Sequence, residues 1–206
     1  IRYRNYKKCS LSGICRTPAF IELDSIVKNI SFKNQGNQFN GTGIRGIGIK
    51  GNVYGNVVFR QNEDFPTLIH SLNITSSAKL TFSEGGIYKF FGTGIRVYGV
   101  LNVEGTEERP VVFTSSKDDT HGDDLNNDGS ETLPRKGDWG SVHFYDNHKE
   151  SKLSCLWMGY GGGNETGHGM LELYESSTVL YDPKIIVDKC VITKSSKHGI
   201  WLMFES

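Results

Sequence analysis

The sequence predicts an all-β solenoid, in which short strands are wound coil on coil. Three observations carry that reading: strand-like runs too short for helices, missing hairpin turns between them, and local patterns that recur along the chain. The clearest stretch is Leu80–Gly105, which breaks into Leu80–Phe82, Ile87–Phe90, Ile95–Tyr98 and Val100–Val103, each closed by glycine. Leu80, Phe82, Ile95, Val97, Leu101 and Val103 recur at every second position, the period of a strand with one buried face. In Ile87–Phe90 the same reading turns Ile87 inward, with Lys89 opposite in sense. No Asn-Gly or Asp-Gly joins neighbouring runs, so hairpin pairing lacks its turn chemistry. Each strand is therefore expected to pair with its counterpart one coil further along.

A solenoid must repeat. Lys7-Lys8-Cys9-Ser10-Leu11, Lys28-Asn29-Ile30-Ser31-Phe32, Leu153-Ser154-Cys155-Leu156-Trp157 and Asp188-Lys189-Cys190-Val191-Ile192 share a pattern of two polar residues, a small apolar one, any residue and a large apolar one, from which Leu153 departs. Aligned this way, Cys155 and Cys190 share one phase and are expected to stack in the core, sulfurs shielded from water. Glycine leading into a strand recurs at Gly43-Ile44, Gly94-Ile95, Gly140-Ser141-Val142, Gly169-Met170 and Gly199-Ile200. Irregular spacings of roughly 20 to 45 residues suit a solenoid of about eight coils with variable loops.

The run from Leu80 to Gly163 resembles right-handed parallel β-helix repeat proteins of the pectin-lyase-like kind, especially those in long cell-surface proteins. The residues that carry the resemblance are Gly99-Val100-Leu101-Asn102-Val103-Glu104-Gly105-Thr106, Pro110-Val111-Val112-Phe113-Thr114-Ser115, the acidic loop after them, and Gly137-Asp138-Trp139-Gly140. The resemblance implies a right-handed parallel β-helix and an extracellular or cell-surface setting. It implies no activity, because that fold hosts lyases, hydrolases, adhesins and inert stalks alike. Residues 1–206 are expected to form a single β-helix segment with an acidic insertion at about 117–137. The closing strand Gly199-Ile200-Trp201-Leu202-Met203-Phe204 has no polar cap, which predicts a fragment of a longer chain whose other segments are its first partners. Cell-surface proteins or glycans are the further partners expected.

With 23 basic and 23 acidic residues the net charge is zero, so no global field points to nucleic acid or an anionic membrane. No apolar run approaches the roughly 20 residues that span a bilayer, so membrane insertion of this segment is not expected. Twenty-five glycines suit many turns around a thin core.

One stretch has chemistry in it. In Lys117–Ser130, Asp124, Asn126 and Asp128 alternate and Gly129 follows, the opening of a loop that wraps a hard cation in oxygen ligands. Counting from Asp124, position twelve is Arg135 rather than glutamate, so this is not an EF-hand. The remaining ligands are expected from Asp118, Asp119, Asp123, Asp138 or main-chain carbonyls, and calcium is the cofactor expected. The acidic loop of the resembling surface proteins is similar. The plainer reading is a solvated loop rich in turn formers.

A local disulfide between Cys9 and Cys15 is expected, and Asn29, Asn40, Asn73 and Asn164 fit the glycosylation acceptor pattern. No catalytic residue is assigned. Carboxylates concentrate in one loop, while Lys89, Arg96 and Arg109 are scattered and no histidine has a readable nucleophile partner. His143 reads as an outward surface residue. The expected function is a non-catalytic extracellular structural or adhesion segment stabilised by calcium. The alternative is a carbohydrate-active enzyme, a polysaccharide lyase or hydrolase, or a carbohydrate-binding β-helix. An outer groove with Trp139, Tyr145, Trp157 and a carboxylate pair would favour it.

Overall fold

The structure is a computed structural model and describes residues 2–3, 19–23, 44–60, 67–145, 149–163, 167–175 and 184–204. Cys9, Cys15, Asn29, Asn40 and Asn164 lie outside the described residues. These contain strands and no helix, so none of them forms a helix able to cross a membrane. The strands are β1 (Arg2–Tyr3), β2 (Ala19–Leu23), β3 (Ile47–Val53), β4 (Asn56–Phe59), β5 (Thr67–Ile74), β6 (Lys79–Ser83), β7 (Ile87–Val97) and β8 (Val100–Glu104). They continue as β9 (Val111–Ser115), β10 (Trp139–Tyr145), β11 (Ser151–Ser154), β12 (Leu156–Gly159), β13 (Gly169–Glu175), β14 (Ile185–Asp188), β15 (Val191–Thr193) and β16 (His198–Phe204).

Two sheets result, and every pairing in them is parallel except that of β1 with β2. The larger runs β1-β2-β3-β5-β7-β10-β13-β16, with β9, β12 and β15 joined to it through β7; the smaller runs β4-β6-β8-β11-β14. Among the described strands only β1–β2 and β2–β3 pair as sequence neighbours, the second of them in parallel, and from β3 onward no hairpin pairing occurs, as the missing hairpin turns predict. Instead the chain visits three lines of strands in turn, for example β10, β11 and β12, and then β13, β14 and β15.

Equal register turns the alternation into ladders of like residues. Ile74, Val97, Phe144, Leu173 and Leu202 lie in one line, and Leu72, Ile95, Val142, Leu171 and Ile200 in another. Each interior rung is covered from both sides, worth about 1.5–3 kcal/mol for a side chain of this size. The last rungs are covered from one side only, and Ile200 and Leu202 are 48% and 56% exposed. Rings fill the middle of the core: Phe82 packs edge-on to Phe113 at 4.9 Å and Tyr88 donates its hydroxyl to the Phe59 carbonyl across 3.1 Å.

Backbone chemistry marks the bends. At Gly94 φ is +94°, and an added Cβ would sit 2.1 Å from the Ser141 carbonyl oxygen, so no other residue fits where β7 meets β10. The strand does not break there: Ile87–Val97 is one element with its register shifted, not the two runs the glycines suggest.

Two phase assignments read from the sequence are corrected. In Ile87–Phe90 it is Tyr88 and Phe90 that enter the core, while Ile87 and Lys89 take the opposite face. The cysteines are out of step by one residue: Ser154 pairs with Asp188 and Trp157 with Val191, which sets Cys155 beside Lys189 and Cys190 beside Leu156. Cys155 and Lys189 are both left-handed corners, at φ 47° and 51°, between their paired strands. Cys155 is buried, but Cys190 is half-buried in the last layer, its sulfur 3.3 Å from the Leu153 and Asp188 carbonyls.

Candidate metal centre

The segment between β9 and β10 folds back over the outer face of β7. Its approach is fixed by ordinary turns, with the Ser116 N–H on the Phe90 carbonyl at 3.0 Å and the Asp118 N–H on that of Ser115 at 3.1 Å. Its exit is fixed by Asp138, which accepts from Ser115 Oγ at 2.6 Å and the Arg135 N–H at 2.8 Å, and pairs with Lys117 at 2.8 Å. Asp138 thus closes the neck and leaves the ligand set. Leu125 is fully buried and its carbonyl accepts from the Arg45 N–H across 2.7 Å, which ties the tip of the loop to an early part of the chain.

Beneath the loop lies Lys89, with no exposed surface. Its ammonium donates to the main-chain carbonyls of Asp118 at 2.8 Å and Asp123 at 2.5 Å. Gly122 crosses above it at φ +71°, where a Cβ would lie 3.4 Å from Ile87 Cγ2. Burial lowers the Lys89 pKa, against the pull of Asp119, Asp118, Asp124 and Asp123.

The six expected ligands separate into two groups. Asp118 is fully buried and saturated: it accepts from the Thr114 hydroxyl, from Thr120 N at 3.1 Å and Thr120 Oγ1 at 2.6 Å, and lies 2.8 Å from His121 Nδ1. Burial alone would raise its pKa, but these hydrogen bonds together hold it below the usual carboxylate value. Asp123 contributes its carbonyl to Lys89 and stands outside the convergent set. Asp118 and Asp123 therefore build the loop.

Asp119, Asp124 and Asp128 converge, with one carboxylate oxygen from each within 4.8 Å of the others, all half-buried. The alternation of Asp124, Asn126 and Asp128 achieves this by a tight turn: Asp124 accepts from the N–H groups of Asp128 at 3.3 Å and Gly129 at 2.9 Å. Asn127 and Gly129 take left-handed angles, φ 54° and 69°. Asn126 donates to Asp128 Oδ2 and to Thr132 Oγ1, each at 2.7 Å. After these bonds, Asp119 Oδ1, Asn126 Oδ1 and Asp128 Oδ1 remain buried and without a hydrogen-bond partner. Burial and the neighbouring charge of Asp124 raise the Asp119 pKa. Such an acceptor-only set of hard oxygens could hold a metal ion, and its orphaned oxygens and raised pKa fit one.

Elsewhere, the outer face of the larger sheet carries a polar line in register, Asn52, Asn73, Arg96, His143, Glu172 and Trp201. His143 Nδ1 is 3.4 Å from the buried Glu172 carboxylate, and burial holds the His143 pKa down. Beside this line Tyr98 stacks on Tyr145 at 4.8 Å and Tyr145 on His143 at 3.9 Å. Asn73 donates its amide to Asn52 Oδ1 at 2.9 Å, a bond that a sugar on Asn73 would compete with. Trp157 is half-exposed, with the His121 ring tilted against it at 4.2 Å between centroids. Trp139 is not at the surface: it is 1% exposed, stacked on Phe90 and donating to the Gly159 carbonyl at 2.8 Å.

Lys89 and Leu125 are the functional residues that sequence reasoning missed. A lysine between the core rings of Tyr88 and Phe90 was the available signal. Comparison with known protein families, curated proteins and solved structures finds no match for this chain.

Proposed function

We propose that the chain is a segment of right-handed parallel β-helix that acts outside the cell as a non-catalytic rod or adhesive surface, with calcium locking the acidic loop between β9 and β10. Three lines of parallel strands visited in constant order support the β-helix, since parallel crossovers are right-handed in nearly all known cases. The observation that carries the calcium reading is the convergence of the Asp119, Asp124 and Asp128 carboxylates in a loop where buried oxygens of Asp119, Asn126 and Asp128 have no hydrogen-bond partner. Calcium takes six to eight oxygen ligands, which main-chain carbonyls and water would complete. Zinc is disfavoured by the absence of sulfur or imidazole in the set. Scanning calorimetry in calcium and in chelator tests it. At a hundredfold excess over Kd, calcium adds about 2.7 kcal/mol. Identical transitions in both buffers count against the reading.

A carbohydrate-binding outer face is the second reading, favoured by the stacked Tyr98, Tyr145 and His143 beside Arg96 and Glu172. Aromatic planes flanked by charged groups are what a sugar ring stacks against and hydrogen-bonds. Intrinsic fluorescence during titration with acidic and neutral oligosaccharides, repeated on Tyr145→Ala, separates the two readings. Saturable quenching that the variant abolishes supports the second.

A further inference from the structure

We infer that Lys89 is the fixed counter-ion of the acidic loop, closing it from beneath before any cation arrives and holding Asp119 and Asp124 in position to receive one. The inference rests on the calcium reading and adds how the site is prepared. A buried ammonium is costly unless its protons are satisfied and opposite charge surrounds it. For Lys89 both the hydrogen bonds and the surrounding opposite charge come from the loop. Its two hydrogen bonds go to main-chain carbonyls, of Asp118 and Asp123. Among the described residues no carboxylate forms an ion pair with it, and Asp119, Asp118, Asp124 and Asp123 are the acids that favour its charge.

The placement explains the geometry of the site. Asp118 and Asp123 bracket Asp119, so tying both carbonyls to one ammonium draws the intervening turn down onto β7 and fixes where Asp119 points. The ammonium lies on the strand side, and the orphaned oxygens of Asp119, Asn126 and Asp128 are left for a second cation. Ordering a loop of this length costs conformational entropy, and the repulsion of its like charges adds to that cost. A covalently tethered cation lowers that cost without leaving the protein.

Two roles for Lys89 predict opposite effects. If it prepares the site, its loss weakens calcium binding, because the incoming ion must then close the loop itself. If it merely competes with the ion, its loss strengthens binding. The test measures hydrogen exchange of amides 118–131 and calcium affinity by titration calorimetry, on the full chain and on Lys89→Met. In chelator the variant is expected to lose at least tenfold protection across 118–131, and calcium is expected to restore it. The amides of Leu80, Val97 and Leu101 should stay native and report the intact fold. Calcium affinity should fall about tenfold. Wild-type protection in chelator, or unchanged or tighter calcium binding, overturns the inference. Lys89→Gln, which removes the charge but keeps a donor, carries the same expectation if the methionine variant does not fold. If the wild-type chain binds no calcium, the calcium reading falls, and the exchange comparison in chelator still decides whether Lys89 closes the loop.

Discussion

The indole of Trp139 stacks on the ring of Phe90, centroids 4.5 Å apart and planes at 22°. Trp139 begins the strand that leaves the acidic loop, and Phe90 follows the lysine that the loop covers. The core therefore holds both sides of the loop in fixed relation. Trp139→Ala should cost about 3–5 kcal/mol, as a cavity opens and the Gly159 carbonyl loses its donor. It should also raise proteolysis within 118–131, read by limited digestion and mass spectrometry.

Asp118 should behave as a structural acid rather than a ligand. Its folded-state pKa is depressed, so its contribution is complete above the unfolded carboxylate pKa and is lost as pH falls through the folded value. Asp118→Asn should destabilise by about 1–3 kcal/mol at pH 7, and the gap to wild type should close in acid. Urea unfolding of both proteins in chelator, at pH 7 and below pH 4, measures it. A gap that stays constant would show that ionisation of Asp118 contributes nothing.

Asp119 should behave in the opposite way. Its pKa is raised by burial and by Asp124, so without calcium the folded loop gains stability as pH falls through that value. With calcium, protons and the ion compete for the same oxygen. Calcium affinity by titration calorimetry should therefore drop as pH is lowered from neutral through the raised Asp119 pKa, while Asp118, whose pKa is depressed, stays ionised.

The corrected register makes a further prediction. Trp157 pairs with Val191, so Leu156, 1% exposed, is the core residue below Cys190. Leu156→Ala should cost about 2–5 kcal/mol by chemical denaturation. Cys155→Ser, at a corner, should cost well under half of that. Equal costs would restore the stacked-cysteine alignment.

How much of this was legible follows from which faces are covered. The alternation of Leu72 with Ile74, Ile95 with Val97 and Leu101 with Val103 was readable because one side of each strand is buried and the other is not. It failed at Ile87–Phe90 because the loop covers the outer side as well, so polar and apolar positions no longer report inside and outside. The cysteine phase failed at a corner, where a left-handed residue belongs to neither strand and period two is interrupted. In the loop, the Asp124-Asn126-Asp128-Gly129 turn was readable as a local pattern. The structural parts played by Asp118, Asp123 and Asp138 were not, because the bonds of the Asp118 and Asp123 main-chain carbonyls to Lys89, and of the Asp138 carboxylate to Ser115, join segments that only the fold brings together.

The most direct test of the central claim is a crystal grown in calcium and measured for anomalous scattering. A single calcium peak within roughly 2.3–2.6 Å of oxygens from Asp119, Asp124 and Asp128 is the result predicted. An ordered loop with no peak there, or a peak bound instead by Asp118 and Asp123, would contradict it.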